Sequence, residues 1–559
     1  MNYNIKNNFN KFHVILIMFI LFSGIIFLGS FDDVNALKSK GDKGLSPKSF
    51  GKVNNNIVCG DKLCIDIFSK NTFEKDFQKT SMKLLSTVPS ISISNNEIFD
   101  LSASKITKVV DGKSLQMYGY NGQTPGPLLL VTQGDEISVT FKNNLDVPTT
   151  VHWHGLRLDI ANDGVPGITQ EPILPGDTFV YQLRFPDSGI FLYHPHVRTE
   201  MQMELGLYGN ILVEPKVQNI PTIDYQIPLI LDDISLTKQG IQEFDPDIVT
   251  NTLMGRFGNT MLINGETNYS LQLTQGDVVR FYLTNTANTR TFDFGIEEQK
   301  IKLVADDASN YEREEIINSV ILSPSERRTI DVLFENSGTF DIIHSTPEKT
   351  YVMGKIKVYP SNMKGDSDFY NTKENLDIIQ EMDSFRKFFS DAPDLELEFD
   401  VKTMSMDTND SIFNSQSMKM LPHEKELAPI EWEDELPQMN AISNEENTRW
   451  VLRDTATGKE GFDINYQVNV GDVKKIRLIN SSESSHPMQH PIHLHGQRFL
   501  VLAEDGVQNE NLAWKDSVLV PAGKTVDILV EFSNIGVWAM HCHILEHAES
   551  GMITDVTVN

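Results

Sequence analysis

The segment "VTQGDEISVTFKNN" (residues 131–144) occurs three times in the chain, with substitutions at most positions. Its second copy is "LTQGDVVRFYLTNT" (273–286), and its third copy is "VNVGDVKKIRLINS" (468–481). Each copy has a Gly-Asp turn followed by apolar residues at alternating positions. This alternation is typical of a strand with one buried face. The repeat therefore predicts three related β-domains in a chain of 559 residues.

A second set of three segments supports the same division. They are "LPGDTFVYQLRFPDSGIFLYHPH" (174–196), "LSPSERRTIDVLFENSGTFDIIHS" (322–345) and "VPAGKTVDILVEFSNIGVWAMHCH" (520–543). Each predicts a turn, a strand, a corner with a glycine, and a second strand. Short strands separated by turns favour antiparallel β-sandwiches, so the whole chain is predicted to be all-β.

The three domains are predicted over residues 96–217, 218–360 and 394–559. Two stretches differ from them in composition. Residues 361–393 are polar and predict a linker with some helical pattern. Residues 403–445 are acidic and rich in methionine, and they predict a long loop inserted near the start of the third domain.

The N-terminal residues indicate export from the cytoplasm. A long apolar run follows two lysines and precedes a small-residue cleavage site, so residues 1–36 are predicted to be a signal peptide. An uncleaved membrane anchor is the alternative, since the apolar run is long for a signal. Residues 37–95 form an extension in which Cys59 and Cys64 are predicted to pair as a disulfide. The folded protein is therefore expected outside the cytoplasm: secreted, periplasmic or anchored to a membrane.

The charge of the chain excludes some partners. It has 77 acidic and 48 basic residues, a formal net charge of −29. Such a surface repels the phosphates of nucleic acids and of anionic lipids, so neither is an expected partner. The oligomeric state is left open by the sequence.

Histidines give the strongest functional signal. Four His-x-His pairs occur, whereas chance placement of 14 histidines would give fewer than one. On a strand, residues i and i+2 face the same side, so each pair points two imidazoles in one direction. The pairs are His152 with His154, His194 with His196, His493 with His495, and His541 with His543. Eight converging imidazoles need partners for their ring nitrogens, and the pattern therefore predicts bound metal.

The repeats provide an internal control for this prediction. Their alignment places "HWHG" (152–155) and "HLHG" (493–496) beside "FDFG" (292–295) of the middle domain. In the same way, "HPH" and "HCH" align with "IHS" (343–345). Since the middle domain keeps the strand pattern without these histidines, the fold does not require them. We therefore predict a metal cluster between the first and third domains, without ligands from the middle domain.

A lone thiol lies within the last histidine pair, in "HCHILEHAESGM" (541–552). Neighbouring side chains on a strand point to opposite faces, so Cys542 is expected to face away from the two histidines beside it. Two imidazoles, one thiolate and a weak thioether are the ligands of a blue-copper electron-transfer site. Zinc would favour more cysteines, or histidines with water. The predicted ligands of this second site are Cys542, His490, His547 and Met552.

These motifs resemble those of the multicopper oxidase family, in particular its three-domain, laccase-like members. The resemblance covers residues 96–559 and is carried by "HWHG", "HPH", "HPIHLHG" and "HCHILEHAESGM". It implies three cupredoxin-like Greek-key β-sandwich domains and four copper ions per chain. The implied ligands are His490, Cys542, His547 and Met552 for type 1 copper, His152 and His493 for type 2 copper, and His154, His194, His196, His495, His541 and His543 for the type 3 pair.

The resemblance also implies a reaction. Family members oxidise a reductant one electron at a time at type 1 copper and reduce O₂ to water at the three-copper cluster, which consumes protons. Asp163 matches the acidic residue that the family keeps near type 2 copper, although its local sequence fits an Asp-Gly turn equally well. Many bacterial members have Glu directly after the second type 1 histidine, where this chain has Ala548. Glu549 is the predicted substitute in the proton relay.

The reductant is left open by the sequence. The expected small-molecule partners are O₂ and a phenol, an amine or a metal ion. The methionines of residues 403–445 favour a cuprous ion as an alternative, because thioethers bind Cu(I), but methionine in a polar loop also occurs without copper. Two other functions fit less well. A non-enzymatic cupredoxin-fold scaffold does not need the complete ligand set, and copper nitrite reductases resemble two-domain chains with type 1 ligands in the first domain.

Overall fold

The computed structural model describes residues 83–216, 223–362, 365–403 and 427–559. Within these residues the strands form six sheets. Strands from pairs of sheets contribute side chains to three separate apolar cores, one for each copy of the sequence repeat. The predicted all-β, three-domain architecture is therefore confirmed.

The first domain combines a four-stranded sheet, in the order β4-β3-β6-β8, with a five-stranded sheet, in the order β2-β5-β10-β9-β7. Strands β1 to β10 are Lys83–Leu84, Ser90–Ser92, Ile98–Val110, Lys113–Tyr120, Leu128–Thr132, Glu136–Asn143, His152–His154, Thr178–Arg184, Gly189–His194 and Gly209–Glu214. The first copy of the repeat forms β6. Both β1 and β2 lie in the predicted extension, and β1 pairs with the middle domain.

The middle domain combines the sheet β1-β11-β14-β19-β16-β17, in which β12 also pairs with β11, with the sheet β13-β21-β20-β15-β18. Strands β11 to β21 are Tyr225–Ile234, Thr260–Ile263, Tyr269–Thr274, Val278–Asn285, Phe292–Ile296, Ile301–Asp306, Ser309–Ile317, Ser319–Leu322, Arg327–Leu333, Gly338–Ser345 and Thr350–Tyr359. The second copy of the repeat forms β14, which pairs with β19 as β6 pairs with β8.

The third domain combines the sheet β23-β22-β25-β30-β27-β28 with the sheet β24-β32-β31-β26-β29. Strands β22 to β32 are Leu395–Thr403, Thr448–Asp454, Tyr466–Val468, Val473–Asn480, His490–Leu494, Arg498–Glu504, Val507–Gln508, Ser517–Val520, Thr525–Glu531, Gly536–Cys542 and Ile553–Val558. The third copy of the repeat forms β25, which pairs with β30. The three copies therefore occupy equivalent places in their sheets.

The sheets are mixed, whereas the turn spacing predicts purely antiparallel ones. The pairs β3–β6, β11–β14 and β22–β25 are parallel. In each case a strand of the other sheet lies between the two partners in the chain, so the connection crosses over from one sheet to the other. Turn signals mark hairpins in a sequence, but they do not mark such crossovers.

Helices are short in the described residues. They are α1 (Thr199–Glu204), α2 (Leu376–Asp383), α3 (Pro437–Asn440) and α4 (Leu545–Glu549), with 3-10 turns at Ile160–Asn162, Arg386–Phe388 and Gly461–Asp463. The predicted linker contains α2, whose Met382 is buried in a small apolar cluster with Trp514 of the third domain. None of the helices in these ranges is long and apolar enough to cross a membrane.

Several predictions fall on residues outside the described ranges. These are the signal peptide (1–36), the Cys59–Cys64 pair and the larger part of the methionine-rich insert (404–426). The rest of the insert is irregular up to the short helix Pro437–Asn440, and it is packed against the third domain. Its Ile430 is buried, and the backbone of residue 431 exchanges two hydrogen bonds with the amide side chain of Gln489.

Candidate metal centres

The four His-x-His pairs lie on neighbouring strands of two sheets or at the ends of those strands. In the first domain β7 and β9 are adjacent, with His152 opposite His194. In the third domain β26 and β31 are adjacent, with His493 opposite His541. The "HLHG" corner depends on its glycine, because Gly496 has φ +60° and a Cβ there would lie 2.2 Å from a buried tryptophan ring. The repeat architecture thus brings the pairs together.

The eight imidazole rings form one buried cluster between the first and third domains. Two sets of three rings have mutual centroid distances of 5.3 to 5.7 Å and 5.1 to 5.3 Å, and the other two rings lie 5.8 Å apart. The first triad is His154, His194 and His543, the second triad is His196, His495 and His541, and the remaining pair is His152 and His493. Each triad combines histidines from both domains.

Four of the eight rings have one nitrogen anchored by an oxygen and the other without a protein partner. Nδ1 of His152 donates to the carbonyl of Asp163 at 2.7 Å, and Nδ1 of His493 donates to the carbonyl of Asp516 at 2.8 Å. The buried ring nitrogens without a partner include Nε2 of His152, His194, His196, His493 and His543, and Nδ1 of His154. Anchored imidazoles whose free nitrogens have no donor are typical of metal ligands, so this donor set fits copper.

The thiol forms a second buried site. Sγ of Cys542 lies 3.6 Å from Nδ1 of His490 and 3.9 Å from Nδ1 of His547, and the two Nδ1 atoms are 3.3 Å apart. Burial lowers the pKa of His490 to about 3, so its imidazole is neutral. Burial raises the pKa of the Cys542 thiol well above its ordinary value, so a bound cation is needed to hold a thiolate here. This donor set also fits copper.

The two sites lie on opposite faces of β31. The Cys542 side chain belongs to the apolar core of the third domain, whereas the histidine on either side of it belongs to the eight-ring cluster. Met552 is fully buried in the same core as the thiol, and its carbonyl accepts the N–H of Cys542 at 3.0 Å. The structure therefore brings the predicted histidine and cysteine ligands into two clusters and buries Met552 in the core that contains the thiol.

Asp163 orients two rings of the eight-ring cluster. Its Oδ2 accepts from Nδ1 of His495 at 3.0 Å, and its backbone carbonyl accepts from His152. The following Gly164 has φ +82°, and a Cβ there would lie 2.0 Å from the carbonyl oxygen of Val151. Only glycine permits this close approach, which sets Asp163 beside the histidines. Asp163 is therefore both part of an Asp-Gly turn and a residue of the site.

Two glutamates lie on α4, directly after the thiol site: Glu546 is buried and Glu549 is half-buried. Glu549 accepts the N–H of Thr199, at the start of α1, at 2.8 Å. Burial and the neighbouring Glu200 carboxylate raise the pKa of Glu549 to about 7. Glu546 accepts from Nδ2 of Asn288 at 3.1 Å, and burial raises its pKa to about 7. Sequence reasoning named Glu549 but missed Glu546, which differs from other surface-type glutamates only in its burial.

Asp516 is a further residue of the site that sequence reasoning missed. Its Oδ1 lies 3.0 Å from Nε2 of His154, and its backbone carbonyl anchors His493. It belongs to the third domain, while His154 belongs to the first and is 362 positions away in sequence. The local sequence "WKDSV" does not predict this contact, because this aspartate is not part of any motif in the repeat alignment.

Trp450 covers the thiol site. Its ring stacks on His547 with centroids 4.2 Å apart, and it meets His490 edge-on at 4.8 Å. The indole N–H donates to the carbonyl of Thr252, in the middle domain, at 2.7 Å. Trp450 and Thr252 are themselves buried. The imidazoles of this site are therefore separated from solvent by an indole ring and a middle-domain segment.

The middle domain has phenylalanine where the other two domains have histidine. Phe292 and Phe294 lie on β15, which pairs with β20 as β7 pairs with β9. Both rings are buried in the apolar core of their own domain. The strands correspond to those of the other two domains, but their register is shifted, since Gly295 rather than Phe292 lies opposite Ile343.

Three family models described as multicopper oxidase match residues 102–218, 238–359 and 432–559, one in each domain and more than half of the chain together. "Multicopper oxidase mco" of Staphylococcus aureus is 26% identical over 81% of this chain and 86% of its own length. "Dihydrogeodin oxidase" of Aspergillus terreus is 27% identical over 81% of this chain and 82% of its own length. The solved multi-copper oxidase from Pseudomonas thermotolerans has a TM-score of 0.62 at 26% identity, covering 84% of this chain and 100% of that one.

Proposed function

Because the chain belongs to the multicopper oxidase family, we propose that it couples oxidation of a small reductant to the four-electron reduction of O₂ to water, with four copper ions per chain. The proposal rests chiefly on the position of Cys542. Its thiol belongs to one site, and the two histidines that are next to Cys542 in sequence belong to the other. The backbone of β31 therefore joins a site for one-electron oxidation to the cluster of eight imidazoles.

The copper ligands are assigned by type as follows. Type 1 copper is held by His490, Cys542, His547 and Met552, type 2 copper by His152 and His493, and one type 3 copper by each triad. This assignment is supported by the geometry of the two triads and by the buried ring nitrogens that have no protein partner. When bound, copper supplies the one-electron redox chemistry that these side chains lack.

The carboxylates of the chain supply orientation and protons. Asp163 fixes the rings of His152 and His495, which belong to different domains. Reduction of O₂ to water consumes protons, and a donor works best when its pKa lies near the working pH. We propose that Glu549 delivers these protons. Its Oε1 accepts the N–H of Thr199, which leaves Oε2 as the atom that carries the proton.

A second candidate function is cuprous-ion oxidation, and the cover of the thiol site favours it. A bulky phenol cannot touch the type 1 imidazoles while Trp450 and the middle-domain segment lie over them. Beside Trp450, Nε2 of His486 lies 3.0 Å from Sδ of Met254, and both side chains are buried. Imidazole and thioether are ligands that suit Cu(I). The backbone N–H of Met254 donates to Asn440 on α3, at the end of the methionine-rich insert.

We also propose an extracytoplasmic location. The support is the sequence of residues 1–36, which has the form of a signal peptide or anchor, and the Cys59–Cys64 spacing, which suits an oxidising compartment. Labelling of an exported epitope on intact cells tests this location, and a purely cytoplasmic signal would refute it.

Metal analysis and oxygen uptake test the function. The purified full chain should hold four copper ions, show the intense visible absorption of a thiolate–copper bond, and consume O₂ with at least one of a phenol, an aromatic amine, Fe(II) and Cu(I). Uptake with Cu(I) alone would select cuprous-ion oxidation. A copper-loaded protein that consumes no O₂ with any of these reductants would refute the proposal.

A further inference from the structure

Arg327 lies where all three domains meet, beside the eight-ring cluster. It opens β19 in the middle domain and is fully buried. Nη1 donates to Oδ1 of Asp516 at 2.5 Å, and Nη2 donates to the other carboxylate oxygen of Asp516. Nε donates to the carbonyl of Ile190, on β9 of the first domain, at 3.2 Å. One middle-domain guanidinium therefore contacts both domains that carry the histidines.

Asp516, whose carboxylate Arg327 binds, anchors two of these histidines, one through its side chain and one through its backbone. Oδ1 of Asp516 lies 3.0 Å from Nε2 of His154, and the backbone carbonyl of Asp516 accepts from Nδ1 of His493 at 2.8 Å. These contacts place the ring protons on opposite nitrogens. His154 keeps Nδ1 free and His493 keeps Nε2 free, and both free atoms are buried without a partner. The two rings stack with centroids 3.7 Å apart.

Arg327 supplies the buried Asp516 carboxylate with a partner of opposite charge and with one hydrogen bond to each of its oxygens. Burial alone would lower the pKa of Arg327, but the carboxylates of Asp516 and Asp307 outweigh it and raise that pKa above its ordinary value. The guanidinium therefore stays charged, and its planar fork fixes the carboxylate in one orientation.

Neighbouring groups hold this pair in one geometry. The backbone N–H of Arg327 donates to Asp307 at 2.8 Å. The Ser325 hydroxyl donates to the Ser517 hydroxyl at 2.9 Å, which itself lies 3.2 Å from Nε2 of His154. In "HWHG", a Cβ at Gly155 would lie 2.6 Å from Oδ2 of Asp516 and 2.7 Å from Nη2 of Arg327. The space for the ion pair is therefore made by the glycine that follows His154.

We propose that Arg327 is a positioning residue for the copper cluster: it holds the Asp516 carboxylate so that His154 and His493 present the correct nitrogens to the metal. This inference rests on the proposed function. It assigns to the middle domain, which carries none of the predicted copper ligands, the task of fixing one type 2 and one type 3 ligand.

Copper titration of the full-length, metal-free protein tests the proposal without measuring turnover. Loss of such a second layer around metal ligands typically weakens metal binding about 10- to 100-fold. Arg327→Met is therefore expected to bind type 2 copper about 10- to 100-fold more weakly, with an altered type 2 EPR signal and an unchanged type 1 absorption. Arg327→Lys keeps the charge but loses the fork, so it is expected to bind with intermediate affinity.

Arg280 provides a matched control. It forms a buried two-bond pair with Asp331 in the same domain, at 2.7 and 2.8 Å, and none of its hydrogen bonds in the described structure reaches the histidines. Arg280→Met is expected to leave both copper signals unchanged. Should Arg327→Met fail to fold, the double variant Arg327→Met with Asp516→Asn leaves no lone buried charge, and the same loss of type 2 affinity is expected.

Three results separate the possibilities. A folded Arg327→Met protein with the type 2 affinity of Arg280→Met would overturn the proposal. Loss of type 1 and type 2 copper together in the double variant would assign Arg327 to folding alone, and would also overturn it. A wild-type protein without the thiolate–copper absorption would instead refute the proposed function, so the two failures are distinguishable.

Discussion

Two variants of the methionine-rich insert, the shorter exchange contained within the longer, distinguish the role of its packed part from that of the rest. In the first variant, residues 404–426 are exchanged for a flexible Gly/Ser segment of equal length. In the second, the exchange continues to residue 439. The first segment is polar in sequence and lies outside the described residues, whereas several contacts are described for the residues between 427 and 439. Equal length keeps the reach of the chain unchanged, so only side-chain chemistry and packing differ.

The cost of the longer exchange follows from side chains that hold this segment in place. The buried side chain of Ile430 is removed, and Arg290 loses the carboxylate of Glu433. Without these anchors, a flexible Gly/Ser backbone no longer stays where it bonds the buried groups of Gln489, Ala522 and Arg290. Each buried group left unsatisfied costs about 1–3 kcal/mol, so about 3–9 kcal/mol is expected in total. This is a large part of the roughly 5–15 kcal/mol that keeps a typical protein folded.

Denaturant titration of the copper-loaded variants, followed by copper analysis and both oxidase assays, measures the result. The shorter exchange should leave the midpoint and the copper content unchanged; if its methionines deliver Cu(I), cuprous-ion oxidation falls while phenol oxidation is kept or increases. The longer exchange should lower the midpoint and disturb the type 1 site, because Gln489 precedes the ligand His490. A longer variant as stable as the shorter one would refute the packing argument. Equal rates on both substrates before and after the shorter exchange would refute delivery of Cu(I) by these residues.

Three other substitutions test the thiol site. Cys542→Ser should abolish the intense visible absorption and turnover together, because the thiolate ligand is lost; a protein that stays blue would contradict the assignment. Met552→Leu should raise the type 1 reduction potential in a redox titration, because the oxidised ion loses a weak donor. The stability of the protein should change little, since the two side chains have similar volumes. An unchanged or lower potential would mean that another group is the axial ligand. Trp450→Ala should lower the free energy of unfolding by about 3–5 kcal/mol and change the type 1 spectrum. Trp514→Ala, an equally buried control, should lower the free energy of unfolding by a similar amount and leave the spectrum unchanged.

The sequence predicts the parts of this protein that local patterns encode. Alternating apolar residues after a Gly-Asp turn mark the strands β6, β14 and β25, and i, i+2 histidines on strands must face one side. The ligand clusters follow from these two rules and the repeat. The parallel pairings and the contacts of Asp516 and Trp450 do not follow, because they join residues far apart in sequence that have no shared pattern. Burial, which distinguishes Glu546 from ordinary surface glutamates, is likewise a property of the assembled fold.

The middle domain shows why a sequence repeat can lose its ligands and still be needed for the site. In place of imidazoles, its β15 carries aromatic rings that fill its own core, so its fold is kept without metal. Two of its other segments reach the copper sites. The carbonyl of Thr252 accepts a hydrogen bond from the indole N–H of Trp450 over the thiol site, and Arg327 donates to the carboxylate of Asp516 at the eight-ring cluster. Each contact replaces water beside a buried polar group, where an unpaired partner would be costly. A chain built from the first and third domains alone would leave the Trp450 N–H and the Asp516 carboxylate without these partners. The domain that contributes no predicted ligand therefore completes the surroundings of both sites.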